Sequence, residues 1–239
     1  MPAPTAAAAL NALHTRADPD KACHALRFFK TGPGEYGEGD QFLGIRMPPL
    51  RDLARTFQPL PLGEIRGLLT SPWHEARMLA LLVMVRQYKA ARRDPAARDT
   101  LHRLYLDHTA HVNNWDLVDS SAPHLVGAHL RPDDRALLDR LAASSLLWDR
   151  RIAIIATFSF IRQGEFGDAF RIAEMLLADE HDLIHKAVGW MLREVGKRSQ
   201  EAEESFLRMH YARMPRTMLR YAIERFPEPL RQAYLHGQV

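Results

Sequence analysis

Apolar residues recur at helical spacing along almost the whole chain, and strict alternation of apolar and polar residues is scarce. A strand buries one face with a repeat of two, so sustained helical spacing argues against a sheet-based core. The breaks are clearly marked. Asp18-Pro19, Met47-Pro48-Pro49, Pro59 and Pro61, Ser71-Pro72, Asp94-Pro95, Arg131-Pro132 and Pro215 each read as a cap or first-turn proline opening a helix. The segments between them predict roughly twelve helices of about 8 to 20 residues. One glycine-rich loop, Lys30 to Asp40, interrupts the series.

Short helices without strands suggest an internal repeat. The first charged residues before the strongly apolar helices are Arg77, Asp116, Arg151, Lys186 and Arg220, at steps of 39, 35, 35 and 34 residues. That is the spacing of stacked helix pairs. The fold class expected is all-α, a HEAT-like helical-repeat solenoid, as one domain over 1–239 with 1–18 a loosely attached N-terminal helix. In such a stack the second helix of each pair lines a concave surface, and equivalent positions stand side by side. Arg77, Arg151, Lys186 and Arg220 then form a basic row with Asp116 as its one acidic member. A curved basic groove suits a nucleic-acid backbone, whose phosphates dominate affinity.

Composition narrows the class. A chain of 239 residues with 46% hydrophobic and 26% charged residues has the balance of an ordinary soluble globular protein. Cys23 is the only cysteine, which excludes a disulfide framework and points to a reducing compartment; it reads as a small, half-buried apolar residue. No apolar run reaches the length of a membrane-spanning helix, and no basic region precedes the first apolar stretch, so neither a membrane association nor a secretory signal is expected. The expected location is the cytoplasm, with nucleoid association when bound to DNA. A net charge of +3 is weak evidence for a polyanion partner, but its distribution is uneven. Between Ser205 and Val239 six arginines face only Glu224 and Glu228, which fits either phosphate contact or a solvated helical face.

Other signals lead nowhere specific. His108 with His111, and His181 with His185, are spaced to share helix faces, but neither pair has a third and fourth ligand nearby, and no metal is expected. The loop at 32–39 lacks the Gly-Lys-Ser/Thr ending of a phosphate-binding loop and reads as a mobile loop near the groove.

Three segments can carry chemistry. In Val112 to Ala122, Asn113 or Asn114 is a natural N-cap, and Trp115 and Asp119, four apart, share a helix face. Asp116 sits in the first turn, where a carboxylate favours the helix dipole. That explanation does not extend to Asp119, deeper in an apolar helix. In Leu147 to Ala153, Trp148 reads as core, and of Arg150 and Arg151 the latter holds the groove position of the repeat. In Ile184 to Gly196, Lys186 and Trp190 share a face with Arg193 beside them. Gly189 inside that helix costs about 1 kcal/mol relative to alanine, which either a close approach of DNA or tight helix packing would justify. Together these features point to a nucleic-acid-binding helical protein without naming a reaction. A non-catalytic module for DNA or RNA architecture, which does not require Asp119, and a protein-interaction scaffold with the tryptophans as core are the alternatives.

Asn114-Trp-Asp-Leu-Val-Asp-Ser120, Trp148-Asp-Arg-Arg151 and His185-Lys-Ala-Val-Gly-Trp-Met-Leu-Arg-Glu194 together resemble the AlkD-type DNA alkylation repair family, and the likeness runs from Phe42 to Ala222. The resemblance implies a HEAT-like α-solenoid that holds double-stranded DNA in its groove as a monomer. It also implies hydrolysis of the N-glycosidic bond of N3- and N7-alkylated purines without metal or organic cofactor. The family's functional tryptophan–aspartate pair falls on Trp115 and Asp119, its arginine on Arg151 and its second tryptophan on Trp190. The retained acidic and aromatic residues imply an active enzyme. DNA contacts are expected from Arg77, Arg150, Lys186, Arg193, Arg216 and Arg220. Members of the family are understood to work from the backbone side, and this sequence offers no obvious base-reading pocket. The glycine-rich stretch 32–39 departs from the best-known members.

Overall fold

A computed structural model describes residues 3–239, and among them lie fifteen α-helical segments and no strand, only an isolated bridge between Gln41 and Trp73. The chain divides into two compact units, the first ending at Leu125 and the second covering Val126–Val239. The first unit contains α1 (Ala6–His14), α2 (Pro19–Phe28), α3 (Met47–Thr56), α4 (Leu62–Leu69), α5 (His74–Ala90), α6 (Pro95–Leu106) and α7 (Trp115–Ala122). The second contains α8 (Ala136–Ala142), α9 (Leu147–Ala156), α10 (Phe158–Ile161), α11 (Gly167–Met175), α12 (Asp182–Gly196), α13 (Gln200–His210), α14 (Arg216–Ala222) and α15 (Glu228–His236).

Local chemistry sets most helix starts. Asp18 and Asp94 cap α2 and α6, each followed by a proline in the first turn, and Ser199 caps α13. Pro132 departs from the expected pattern, opening a 3-10 turn, Pro132–Asp134, ahead of α8. The helix count exceeds the expected twelve because apolar spacing cannot see short interruptions. Thr157 divides α9 from α10, and its hydroxyl donates back to the Ile154 carbonyl at 2.6 Å.

In the first unit α5 is the hub, packed against α1, α3, α4, α6 and α7. Leu68, Leu79 and Met84 are fully buried around it, each worth roughly 1.5–3 kcal/mol of transfer free energy. The segment expected to hang loosely is docked. Ala9 and Leu13 of α1 are buried, and the Ala6 N–H donates to Glu64 Oε2 at 2.6 Å. Met1 and Pro2, which open that segment, lie outside the described residues. Cys23 is exposed rather than half-buried. It lies on α2, which buries none of its residues because it crosses a cavity instead of lying on the core.

The second unit stacks helix pairs: α8 with α9, α11 with α12, and α13 beside α12, which itself packs on both α9 and α14. Gly189 of α12 makes the last of these contacts possible. A Cβ there would stand 2.4 Å from the Met218 carbonyl oxygen and 2.5 Å from Tyr221 Cβ. Of the two explanations for this glycine, tight helix packing is the one the structure contains. The residues expected to recur fall on α5 and α7 in the first unit, Arg77 and Asp116, and on α9, α12 and α14 in the second, Arg151, Lys186 and Arg220. No helix among the described residues is long and apolar enough to cross a membrane.

Candidate functional site

Helix α7 begins at Trp115 because Asn114, fully buried, accepts the Trp115 N–H on its side chain at 2.8 Å. Trp115 and Asp119 are both half-buried, one turn apart on the same face. The indole of Trp115 stacks on Phe29, centroids 5.5 Å apart, and meets Phe28 edge-on at 6.0 Å. The intervening carboxylate does more than favour the helix dipole. Asp116 Oδ1 accepts the Leu117 N–H at 2.9 Å, and its Oδ2 lies 2.9 Å from His74 Nε2.

His74 opens α5 and is buried between two carboxylates. Its Nδ1 lies 2.9 Å from Asp40 Oδ2, opposite the Asp116 bond. Burial alone would depress the imidazole, but Asp116 and Asp40 outweigh it and hold the ring up at about 9. Both ring nitrogens thus face carboxylate oxygens inside the protein, an arrangement that favours the protonated ring. Burial would likewise raise the Asp40 carboxyl, yet His74 and Arg77 hold it below its ordinary value. Arg77 closes the chain with Nη2 at 2.5 Å from Asp40 Oδ1, and its Nη1 donates to the carbonyls of Ser71 and Pro72 at 2.9 and 3.2 Å. Glu75 beside it accepts three backbone N–H groups, from Leu43 and Gly44 at 2.8 Å and from Ile45 at 3.1 Å. The glycine-rich loop ends by delivering Asp40 to this network. On the way it closes on itself, with the Gly32 and Gly34 N–H groups donating to Glu35 and Glu38 at 2.9 Å.

The second unit gathers the remaining expected residues around α12. Trp190 is half-buried, its Nε1 donates to Glu194 Oε1 at 3.1 Å, and its ring lies 6.2 Å from Phe158. Burial opposes ionisation of Glu194, but Lys197 and the Trp190 N–H bring its carboxyl below the usual value. Lys186 pairs with Asp182 at 2.7 Å and stays partly exposed. Arg193 is ion-paired with Glu224, and Arg150 with Asp179 at 2.6 Å while it also donates to the Ser144 and Ser145 carbonyls. Arg220 is exposed on α14, and Arg216, also exposed, donates to the Leu235 carbonyl at 2.6 Å.

Two expected cations need correction. Arg77 and Arg151 are each only 4% exposed, so neither guanidinium lies open to a phosphate. Arg77 serves Asp40 and two carbonyls, and Arg151 Nη1 donates to the Leu183 carbonyl at the start of α12. A buried guanidinium needs acceptors inside the protein, and these helix starts supply them to Nη1 of each arginine, while Arg77 Nε has no partner among the described residues. Sequence reasoning also missed Asp40, His74 and Glu75. A signal was present: His, Glu and Arg crowd the first turn of a helix that is apolar on every side, and charge placed there requires partners. Trp148 is core, as expected.

A family model described as DNA alkylation repair enzyme matches residues 9–226. A solved structure of a predicted DNA alkylation repair enzyme from Enterococcus faecalis aligns with a TM-score of 0.67 at 17% identity, over 89% of this chain and 97% of that one. Another solved structure, smu.31 from Streptococcus mutans UA159, aligns with a TM-score of 0.49 at 18% identity, over 88% and 92% of the two chains. Curated proteins give no match. At these identities the structural likeness speaks for the fold alone.

Proposed function

The chain belongs to the DNA alkylation repair enzyme family, and from that premise we propose that it hydrolyses the bond between deoxyribose and an N3- or N7-alkylated purine in DNA. The observation that carries this reading is the half-buried pair Trp115 and Asp119 on one face of α7, a helix whose first turn is fixed by Asn114 and by the bond that Asp116 accepts from His74.

The chemistry asks little of the protein. An N3- or N7-alkylpurine already carries a positive charge, so the glycosidic electron pair leaves onto the base without prior protonation. Positive charge then develops on the deoxyribose. Asp119 stabilises it electrostatically and orients the water whose oxygen bonds to C1′ and which gives up one proton. The products are a neutral alkylpurine and an abasic site. Trp115, one turn from Asp119 on α7, contributes an electron-rich face that attracts the growing sugar charge. Arg151, enclosed against the Leu183 carbonyl, supports the start of the Trp190 helix instead of holding phosphate. Phosphate contact falls to the more exposed cations, Arg220 and Arg216 with Lys186.

The test is release of alkylpurine from methylated duplex DNA by the wild type and by Asp119→Asn. Wild-type release, reduced about 100-fold or more in the variant with DNA binding kept, is the expected result. Unchanged release in the variant removes Asp119 from its role. Salt-dependent DNA binding without any release by the wild type leaves a non-catalytic binder, and the absence of such binding leaves a scaffold.

A further inference from the structure

A cavity of about 560 Å³ lies wholly within the first unit, beneath α2 and over the first turn of α5. That volume is in the range of small-molecule sites, roughly 300–1,000 Å³. Its walls are apolar, with Phe29, Phe42, Met47, Leu50 and Met78 prominent, and aromatic rings with thioethers suit a flat aromatic guest.

The polar groups of the cavity are more selective than its walls. His74 has spent both ring nitrogens on Asp40 and Asp116, and Glu75 is occupied by the three N–H groups of Leu43, Gly44 and Ile45. Asp116 also lines the cavity, and each of its oxygens takes one hydrogen bond. A carboxylate has about four acceptor positions, so Asp116 keeps capacity for a donor from a guest. The floor therefore accepts hydrogen bonds and has none to give. The mouth has the opposite character. Arg46 and His24 are exposed and line the cavity beside Lys21, and the Arg46 side chain makes no hydrogen bond or ion pair among the described residues. A guest that fits both ends has a flat ring system with an amino group inside and an anionic group outside.

We infer that this cavity binds a purine nucleotide, its ring between the aromatic and methionine walls, its exocyclic amine on Asp116 and its phosphate at Arg46. The nucleotide has two possible sources, free in solution or extruded from a duplex. The duplex source rests on the DNA-repair reading above, and the free source does not. Phe29 ties the cavity to the α7 site, since it lines the one and stacks on Trp115 of the other. Nothing in the sequence signalled such a pocket, because its lining comes from segments scattered between Asp20 and Asp116.

Titration calorimetry with deoxyadenosine 5′-monophosphate, with the purine deoxyriboside 5′-monophosphate that lacks the exocyclic amine, and with deoxyribose 5-phosphate tests the assignment. The amine is expected to strengthen binding about tenfold in the wild type and to have no effect in Asp116→Ala. Ala25→Trp, which fills the cavity from the unburied helix α2, is expected to weaken all purine binding at least tenfold with an unchanged thermal melt. Equal binding of the three compounds, or undiminished binding by Ala25→Trp, overturns the proposal. For the duplex source, a 2-aminopurine within duplex DNA should brighten on binding the wild type and not on binding Ala25→Trp. Dark fluorescence with both proteins overturns that source and leaves the free nucleotide. If the wild type binds the nucleotide yet releases no base from methylated DNA, the repair reading fails and the nucleotide site stands.

Discussion

His74 in the first unit and Glu203 in the second are both buried ionisable groups, but only His74 has a charged partner on each side. Glu203 Oε1 finds no hydrogen-bond partner among the described residues, and Glu203 occupies space that Gly196 leaves open by having no Cβ. Burial, then the neighbouring Glu204, pushes its carboxyl up to about 8 against the weaker pull of Arg193. One unit thus encloses a connected ionic chain that fixes where α5, the glycine-rich loop and α7 meet. The other encloses a carboxyl that is comfortable only when protonated. A connected buried network specifies geometry, whereas a single buried charge only costs stability.

The largest expected effect comes from cutting the network. His74→Ala takes one partner from each of Asp40 and Asp116 and leaves Asp40 buried with its Arg77 ion pair, and should lower stability by about 3 kcal/mol in urea denaturation at pH 7. A loss below about 1 kcal/mol would mean that the chain of ion pairs does not specify the fold. Next in size is Gly189→Ala, which breaks the second unit by overpacking alone. Its Cβ meets backbone of α14, so a loss of about 2–3 kcal/mol is expected, and an unchanged melting temperature would contradict the packing described here.

Acidity sharpens the same contrast. The folded pKa of His74 is raised from 6.5 to about 9 and that of Glu203 from 4.5 to about 8. In both cases the folded state holds its proton more tightly, so stability falls as pH rises. The His74 contribution is complete below about 6.5 and is lost on approach to 9; the Glu203 contribution is complete below about 4.5 and is lost on approach to 8. Glu203→Gln should therefore gain about 1–2 kcal/mol over the wild type at pH 9 and nothing at pH 4. A variant that follows the wild type at every pH would show that Glu203 is not buried as described. The smallest effect belongs to Cys23→Ser on the exposed face of α2, with a stability change within about 0.5 kcal/mol by thermal melt.

The spacing of Trp115 and Asp119 placed them on one helix face before any coordinates, and Asn114 marked where that helix starts. Both are local matters, decided within one turn by side-chain period and capping chemistry. The charged residues from Arg77 to Arg220 that lead apolar stretches were placed on helices for the same reason, since apolar spacing marks each helix. What the side chains at those positions do was not legible. Arg77 and Arg151 carry the charge expected of a groove, yet each turns inward to an acceptor from another segment, Arg77 to the Asp40 carboxylate and Arg151 to the Leu183 carbonyl.

The sequence by itself determined that this protein is built of helices, where most of them begin, and that Trp115 and Asp119 share one face of α7. These follow from periodicity and caps that act over a few residues. Only the tertiary structure decided that Asp40, His74 and Asp116, up to 76 positions apart in the chain, meet as one ionic chain, and that a cavity opens beside them. Which acceptor a buried cation finds depends on how separate helices pack, and local spacing carries no record of that.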